Sequence, residues 1–248
     1  RTSFEMRENQ PSQTIHETVE FELEYYDLKS VIIKGIKGKV LHSNGERIIE
    51  TLMRGFIRPF DLSRAPLLRA GLLKTAGEKY LLLVDMHHIT SDGLSLEIFK
   101  KELVALYEGK KLPPLKIQYK DYAEWESRES PAEKLKSQEE YWLNVFSGEL
   151  PVLNLPMDYP RPSMQSFEGY TMFFDLEKDQ TEALKELAEK ENATLFMMLI
   201  AVFNILLRKL SSQGDIVVGV PVAGRRHPEL ENIIGMFVNT LAMRNYPY

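Results

Sequence analysis

Two adjacent histidines stand at the end of a strongly apolar run, and this arrangement constrains the fold more than any other feature of the sequence. Residues 80–84 read Tyr-Leu-Leu-Leu-Val, and residues 86–93 read Met-His-His-Ile-Thr-Ser-Asp-Gly. An apolar run rich in Leu and Val, preceded by a turn-like Ala-Gly-Glu at 76–78, predicts a buried strand. His87 and His88 are therefore expected where a strand runs out into a loop, and catalytic groups concentrate on loops that rigid elements hold.

The rest of the chain predicts a mixed α/β fold. Helical spacing of apolar residues predicts helices over 46–56, 94–107, 119–125, 133–146, 181–191 and 194–207. Alternating or continuous apolar runs predict strands over 19–25, 67–73, 80–86, 171–174 and 216–222. We expect the helix over 94–107 to carry four apolar side chains on one face: Leu96, Phe99, Leu103 and Leu106. The helix over 194–207 is apolar nearly all round, so it is expected to be buried.

A proline-rich stretch is the best candidate for a domain boundary. Three prolines lie within residues 153–163, and extended, proline-rich segments separate structural units. We therefore expect an N-terminal lobe over 1–152 that carries the histidine loop, a linker over 153–163, and part of a C-terminal lobe over 164–248.

Composition and charge exclude several classes of protein. The 248 residues carry a net charge of −5, which gives no global case for binding nucleic acid or an anionic membrane. No apolar run is long enough to span a bilayer, and no signal peptide opens the sequence. The chain has no cysteine, which excludes a disulfide, a thiolate metal site and a Cys nucleophile and fits a cytoplasmic location.

Several further motifs accompany the histidine run. Residues 119–125 read Tyr-Lys-Asp-Tyr-Ala-Glu-Trp, residues 234–240 read Ile-Gly-Met-Phe-Val-Asn-Thr, and residues 1–4 read Arg-Thr-Ser-Phe. The run at 86–93 resembles the His-His-x-x-x-Asp-Gly signature of the condensation domains of nonribosomal peptide synthetases, and the other stretches resemble motifs of the same family. Order and rough spacing agree over the whole chain. The family's opening motif and last motifs are absent, so the chain looks truncated at both ends.

This resemblance implies a fold and a reaction. The fold would be a chloramphenicol acetyltransferase-like, V-shaped pseudodimer of two α/β lobes, here incomplete. The reaction would join a donor aminoacyl or peptidyl thioester to the α-amine of an acceptor aminoacyl thioester. Phosphopantetheine arms of upstream and downstream peptidyl carrier proteins would present both substrates, next to an adenylation domain, and the condensation domain itself would bind no cofactor.

The roles of the loop residues follow from geometry and resemblance together. Extended backbone sends successive side chains to opposite faces, so His87 and His88 are expected to diverge. The resemblance assigns catalysis to His88 and a supporting role to His87. Asp92 needs a cation if it is buried, and the resemblance implies an arginine from the second lobe. Arg225 is our candidate, and Arg226 is the fallback.

Four other positions are assigned less directly. Gly93 either donates its N–H to a developing oxyanion or simply begins a helix, and the two interpretations stay open. Tyr119 and Trp125 lie at helical spacing, so packing explains them. Asn239 is expected at a buried polar tip, where it either lines the channel or, as the sequence favours, supports the scaffold.

Two roles are open for His88. An α-amine has a pKa of about 7.7–8.0, so a useful fraction is neutral near pH 7 and its attack needs no strong base. His88 would then either accept the proton of the attacking nitrogen or orient the amine by a hydrogen bond.

Other functions compete with this interpretation. A metal site at His87, His88 and Asp92 is disfavoured, because the two histidines diverge and no cluster completes the site. A Ser-His-Asp hydrolase is disfavoured, because the chain has no Gly-x-Ser-x-Gly motif. A stand-alone acyltransferase that uses coenzyme A, and a non-catalytic piece that docks carriers, remain as alternatives.

Overall fold

The computed structural model describes residues 1–28, 45–75, 77–129, 132–166 and 169–247. Within these ranges the chain forms three small sheets and six α-helices, so the predicted mixed α/β class is confirmed. The strands are β1 (Thr2–Arg7), β2 (Gln10–Ile15), β3 (Leu23–Asp27), β4 (Leu68–Lys74), β5 (Tyr80–Met86), β6 (Ile216–Val222) and β7 (Asn239–Asn245). The helices are α1 (Gly45–Phe56), α2 (Gly93–Tyr107), α3 (Tyr119–Glu129), α4 (Ala132–Val145), α5 (Lys178–Lys190) and α6 (Leu195–Ser211).

The chain packs as two compact units. The first unit contains Arg1–Glu124 and Ala223–Val238, and the second contains Trp125–Val222 and Asn239–Tyr248. The proline-rich stretch at 153–163 lies within the second unit. The division into two lobes at that stretch stays a prediction.

The first unit is built on a three-stranded sheet with β4 at its centre. Strand β4 pairs in parallel with β3 and antiparallel with β5. The sequence predicted the strands β4 and β5 as a pair. Leu73 and Leu83 are buried in this sheet, and Phe56 at the end of α1 lies against Gly71 of β4. The antiparallel register places Met86 opposite Leu68, so β5 ends directly before the two histidines.

Two features of the first unit differ from what the sequence predicted. The strand predicted over 19–25 begins only at Leu23, and the β1–β2 hairpin was not predicted. Glu8 and Asn9 make the tight turn of that hairpin with positive φ angles of 48° and 65°. Three of the four apolar side chains that share one face of α2 are 36–55% exposed: Leu96, Leu103 and Leu106.

Helix α6 of the second unit begins at a local capping signal. Thr194 accepts a hydrogen bond from the N–H of Met197 through its Oγ1 at 3.2 Å, as an N-cap residue does. The expectation that α6 is buried is wrong, because among the described residues mainly α5 and β6 pack against it. Eight of its apolar side chains are 43–56% exposed: Phe196, Met197, Leu199, Val202, Phe203, Ile205, Leu206 and Leu210.

The strand predicted over 171–174 is not formed. A strand needs a neighbouring edge for its backbone hydrogen bonds, and this segment pairs with no described strand. Met172, Phe173 and Phe174 are 81–93% exposed. Apolar alternation alone therefore misplaced this element.

The length and apolar content of a helix decide whether it could cross a membrane. In the described part of the chain, no single helix is long and apolar enough to cross a membrane. Helices α5 and α6 pass that test only together, across a bend of 107°.

Candidate active site

The histidine pair forms a tight turn at the end of β5. His88–Thr90 is one turn of 3-10 helix, and His87 caps it by accepting a hydrogen bond from the N–H of Ile89 on its Nδ1 at 3.1 Å. Thr90 donates to the carbonyl of His87 through its N–H at 3.0 Å and its hydroxyl at 2.9 Å. The N–H of His87 donates to the carbonyl of Leu67 at 3.0 Å, which ties the turn to the start of β4. The backbone on which His88 is mounted is therefore held at several points.

The two histidine side chains have different surroundings. His87 is half-buried, and its ring meets the ring of Phe60 edge-on, with centroids 6.0 Å apart and planes at 87°. His88 is exposed, and its side chain makes no hydrogen bond or ion pair to any described residue. His88 is therefore the histidine that is free to contact a ligand.

Asp92 closes the loop and begins α2. Its Oδ1 accepts the N–H of Ser95 at 2.8 Å, which makes Asp92 the N-cap of the helix. The guanidinium of Arg225 donates to both carboxylate oxygens, from Nη1 to Oδ2 at 2.8 Å and from Nη2 to Oδ1 at 3.0 Å. The N–H of Phe237 adds a further hydrogen bond to Oδ2 at 3.1 Å. The structure thus brings together two residues that the sequence proposed as partners.

This ion pair is buried and strongly favours the charged carboxylate. The side chains of Asp92 and Arg225 are only 3% and 4% exposed. Burial raises the pKa of Asp92, but the hydrogen bonds from Arg225, Ser95 and Phe237 lower it more, so the pKa lies well below its usual range. Asp92 therefore stays ionised near neutral pH and acts as a fixed structural anion, not as a proton donor.

Ser95 is a member of the site that sequence reasoning missed. Its side chain is fully buried, and its hydroxyl oxygen accepts from the N–H of Gly235 at 3.0 Å and from Arg225 Nη2 at 3.1 Å. The hydroxyl lies 2.8 Å from both Asp92 Oδ1 and the carbonyl of Gly235, and its one proton serves one of these acceptors at a time. The only signal available was its place three residues after a capping aspartate, because Gly235 lies 140 residues further on.

The neighbouring residues fix the position of the Arg225 side chain. Gly224 has a φ of +69°, and a Cβ at this position would lie 2.0 Å from the carbonyl oxygen of Phe237, so only glycine fits. The guanidinium carbon of Arg225 also lies 4.3 Å from the centroid of the Phe237 ring. Arg226 is exposed, so the fallback assignment is not needed.

The segment that carries Phe237 is held by α3. The hydroxyl of Tyr119 donates to the carbonyl of Met236 at 2.8 Å, and the rings of Tyr119 and Tyr122 lie 5.1 and 4.9 Å from that of Phe237. A Cβ on Gly235 would lie 2.1 Å from Tyr119 Cδ2, so this close approach also requires glycine. Tyr119 therefore acts as scaffold.

Two other predicted positions lie outside this cluster. Trp125 is 43% exposed and belongs to the second unit. Asn239 is exposed, and its Oδ1 accepts the N–H of Thr240 at 2.8 Å, so the expected buried polar tip is wrong. The reason is that Asn239 begins the two-stranded β6–β7 sheet.

Gly93 is the first residue of α2. Its φ lies outside the left-handed region, and a Cβ there would meet no atom within 4 Å, so sterics do not demand glycine. Its N–H belongs to the first turn of the helix, where backbone donors lack partners within the helix.

A groove lies beside the buried ion pair within the first unit. Its volume is about 970 Å³, and it runs along α2 from Leu94 and Arg225 to residues 110–116. Four lysines and four glutamates line it, so its charge does not select an anionic or a cationic ligand. Among the described residues, no group of three or more His, Asp or Glu side chains could hold a metal ion.

The sequence is similar to one protein family and to several known proteins. The family model described as the condensation domain matches residues 1–247. Gramicidin S synthase 2 of Aneurinibacillus migulanus is 48% identical over 247 residues, which cover 100% of this chain and 5% of that protein. Bacitracin synthase 3 of Bacillus licheniformis is 47% identical over the same length, with 100% of this chain and 4% of that protein covered. The chain thus spans about one-twentieth of the length of these curated relatives.

Solved structures show the same fold. A four-domain nonribosomal peptide synthetase bound to AMP and glycine matches with a TM-score of 0.84 at 25% identity, over 99% of this chain and 18% of that chain. The epimerization domain from the third module of tyrocidine synthetase B matches with a TM-score of 0.81 at 21% identity, over 98% of this chain and 56% of that chain. The expected chloramphenicol acetyltransferase-like fold is therefore confirmed.

Proposed function

The chain belongs to the condensation domain family, and from this premise we propose that it forms amide bonds between two carrier-bound substrates, with His88 at the reaction centre. The donor would be an aminoacyl or peptidyl thioester, and the acceptor would be an aminoacyl thioester with a free α-amine. The names of the relatives support this class of reaction, since they are synthases of gramicidin S and bacitracin. The stand-alone acyltransferase is disfavoured, because these relatives are about twenty times longer than the chain.

The bond changes of the reaction define what the site must do. The acceptor nitrogen attacks the donor carbonyl carbon, a C–N bond forms, and the C–S bond of the donor thioester breaks. The donor arm leaves as a thiol that carries the proton lost by nitrogen. The chain has no cysteine, so both thioester sulfurs would come from the phosphopantetheine arms of carrier proteins. The domain would bind no cofactor of its own, and an adenylation domain would adjoin it in the same protein.

A single observation carries the assignment of His88. Its side chain is exposed and has no partner among the described residues, while the turn that carries it is anchored at His87 on one side and at Asp92 on the other. We assign it to orient the attacking amine and to accept its proton once the nitrogen becomes cationic. General base assistance is typically worth about 10²–10⁴-fold, and positioning contributes as much or more.

The remaining loop residues receive supporting roles in this proposal. Asp92 and Arg225 hold the loop against the segment that ends at Phe237, because their buried pair joins the two. Gly93 lies at the N-terminus of α2 with open space beside it, which suits its N–H to donate to the oxyanion of the tetrahedral intermediate. His87 supports the turn through its cap.

The test uses the intact synthetase that contains this chain, with the two neighbouring carriers loaded. Mass spectrometry follows the carrier-bound products, and we expect a condensed thioester on the acceptor carrier only when both carriers are loaded. The control replaces the loaded donor carrier with the same acyl group on coenzyme A. Efficient transfer from free coenzyme A to a free amine would instead support the stand-alone acyltransferase.

A further inference from the structure

A chain of contacts leads from the interior of the first unit to His87 and starts at Arg69 on β4. Its guanidinium side chain is 12% exposed and lies 3.1 Å from the carboxylate of Asp85 on β5, directly across the sheet. Nη1 also donates to the carbonyl oxygens of Phe56 at 3.2 Å and Arg58 at 2.7 Å. Arg69 therefore fixes the backbone that follows α1 against the strand that ends at the histidines.

Phe60 is the next member of this chain of contacts. The guanidinium carbon of Arg69 lies 3.8 Å from the centroid of the Phe60 ring, which is cation–π distance. Phe60 in turn meets the ring of His87 edge-on, with centroids 6.0 Å apart. Phe60 is half-buried between the two side chains, so its ring limits how the imidazole of His87 can turn.

The orientation of His87 matters because its ring caps the turn that carries His88. The hydrogen bond from the N–H of Ile89 reaches Nδ1 of His87 only in one orientation of the imidazole. The side chain of His88 has no partner of its own among the described residues, so the backbone of the turn decides where it points. A loss of the cap would release the turn on the side opposite to Asp92.

We propose that Phe60 and Arg69 are positioning residues for the condensation reaction, since they hold the ring of His87 and, through its cap, the direction of His88. This inference rests on the proposed function of His88. The two side chains touch no reacting atom in this proposal, and their effect is on the placement of the catalytic histidine.

Phe60→Leu is the principal variant, because it keeps an apolar side chain and removes the ring. The matched control is Tyr80→Leu on β5, where Lys74 lies 5.7 Å from the ring centroid at the far end of the same strand pair. In the intact synthetase, we expect Phe60→Leu to lower kcat about 10- to 100-fold, as displaced catalytic groups do, without changing KM for the loaded acceptor carrier. We expect Tyr80→Leu to change neither parameter.

A second measurement reports on His87 directly. Diethyl pyrocarbonate labels accessible neutral imidazoles, and mass spectrometry counts the label at each histidine. We expect labelling of His87 to rise in Phe60→Leu while labelling of His16 and His227 stays as in the wild type. An unchanged kcat, an unchanged label at His87, or a rise at all three histidines would each overturn the proposal.

Two further variants keep the outcome decisive. If Phe60→Leu does not accumulate as folded protein, Arg69→Lys tests the same contacts. This substitution keeps a positive charge beside Asp85 but removes the planar guanidinium that lies against the Phe60 ring. For Arg69→Lys we also expect a lower kcat and more labelling of His87, and wild-type values of both quantities would overturn the proposal. His88→Ala separates this inference from the proposed function. Full activity of His88→Ala would refute the role of His88. The labelling of His87 in Phe60→Leu would still report whether Phe60 holds the imidazole of His87.

Discussion

Asp92 and Arg225 lie 133 residues apart in the sequence, and two hydrogen bonds of 2.8 and 3.0 Å join their buried side chains. The same carboxylate caps α2 and accepts the N–H of Phe237. One anion therefore links the histidine loop, a helix terminus and a distant segment of the chain. This geometry explains why an aspartate stands four residues after His88.

Removal of the charge on Asp92 should strongly destabilise the fold. Asp92→Asn keeps the shape but leaves the guanidinium of Arg225 buried without a counter-ion, and such a loss typically costs about 3–5 kcal/mol of unfolding free energy. Urea denaturation measures the change. Glu97→Gln on the same helix is the control, since Glu97 and its partner Lys100 are 68% and 67% exposed, and we expect a change of less than about 1 kcal/mol there. Equal effects of the two substitutions would contradict the structural role of the pair.

The contribution of Asp92 should depend on pH in one direction. Its pKa in the folded protein is lowered below that of the unfolded chain, which is about 3.9 for an ordinary Asp. The stabilisation is therefore complete above that value and is lost as the pH falls toward the lower pKa of the folded state. We expect the difference in unfolding free energy between wild type and Asp92→Asn to stay constant from about pH 5 to 8 and to shrink below about pH 4. A difference that grows in acid would show that the sign is wrong.

Local signals in the sequence predicted several parts of this site. The apolar run before His87 predicted β5, and the histidines do lie at its end. Gly109 follows α2 with a φ of +76°, the left-handed backbone geometry with which a glycine commonly ends a helix. Such features depend on neighbouring residues, which is why a single sequence reveals them.

The features that the sequence did not predict correctly depend on residues that lie far away in the chain. Ser95 gave no signal of its own, because its role comes from Gly235, 140 residues away. Phe60 gave none, because its position between Arg69 and His87 exists only in the folded sheet. The apolar pattern of α6 predicted a buried helix, and this prediction is wrong, because the pattern of one helix does not show which other residues of the chain cover it.

The close approach of Gly235 to Tyr119 gives a steric prediction. Gly235→Ala would place a Cβ 2.1 Å from a ring carbon of Tyr119, and overpacking of this kind typically costs about 1–3 kcal/mol. Thermal or urea denaturation measures the loss. Gly214→Ala is the matched control, because a Cβ there meets no atom within 4 Å, and it should leave stability nearly unchanged. If Tyr119→Ala does not reduce the effect of Gly235→Ala, the clash is not its cause.

The 248-residue chain on its own should form no detectable condensed product. Apolar side chains that a complete fold would cover, such as those of α6, are exposed in it. We therefore expect carriers loaded with donor and acceptor to stay uncondensed when this chain alone is added. The intact synthetase under the same conditions is the positive control. Robust dipeptide formation by the chain alone would contradict this expectation and show that these 248 residues suffice for the reaction.

The pH dependence of the rate separates the two roles of His88. If His88 accepts a proton, the single-turnover rate should fall in acid more steeply than protonation of the amine itself explains. A non-enzymatic reaction of the same amine with a simple thioester gives that reference slope. A rate that follows the reference slope would leave His88 with the orienting role alone.

The most direct test of the central claim replaces His88 with Ala in the intact synthetase, with both carriers loaded, and follows the condensed thioester by mass spectrometry. We expect the rate of product formation to fall by about 10²–10⁴-fold while carrier loading stays intact. His227→Ala is the matched control and should keep the wild-type rate. Undiminished product from His88→Ala would contradict the account, because it would show that the exposed histidine of this loop does not take part in the reaction.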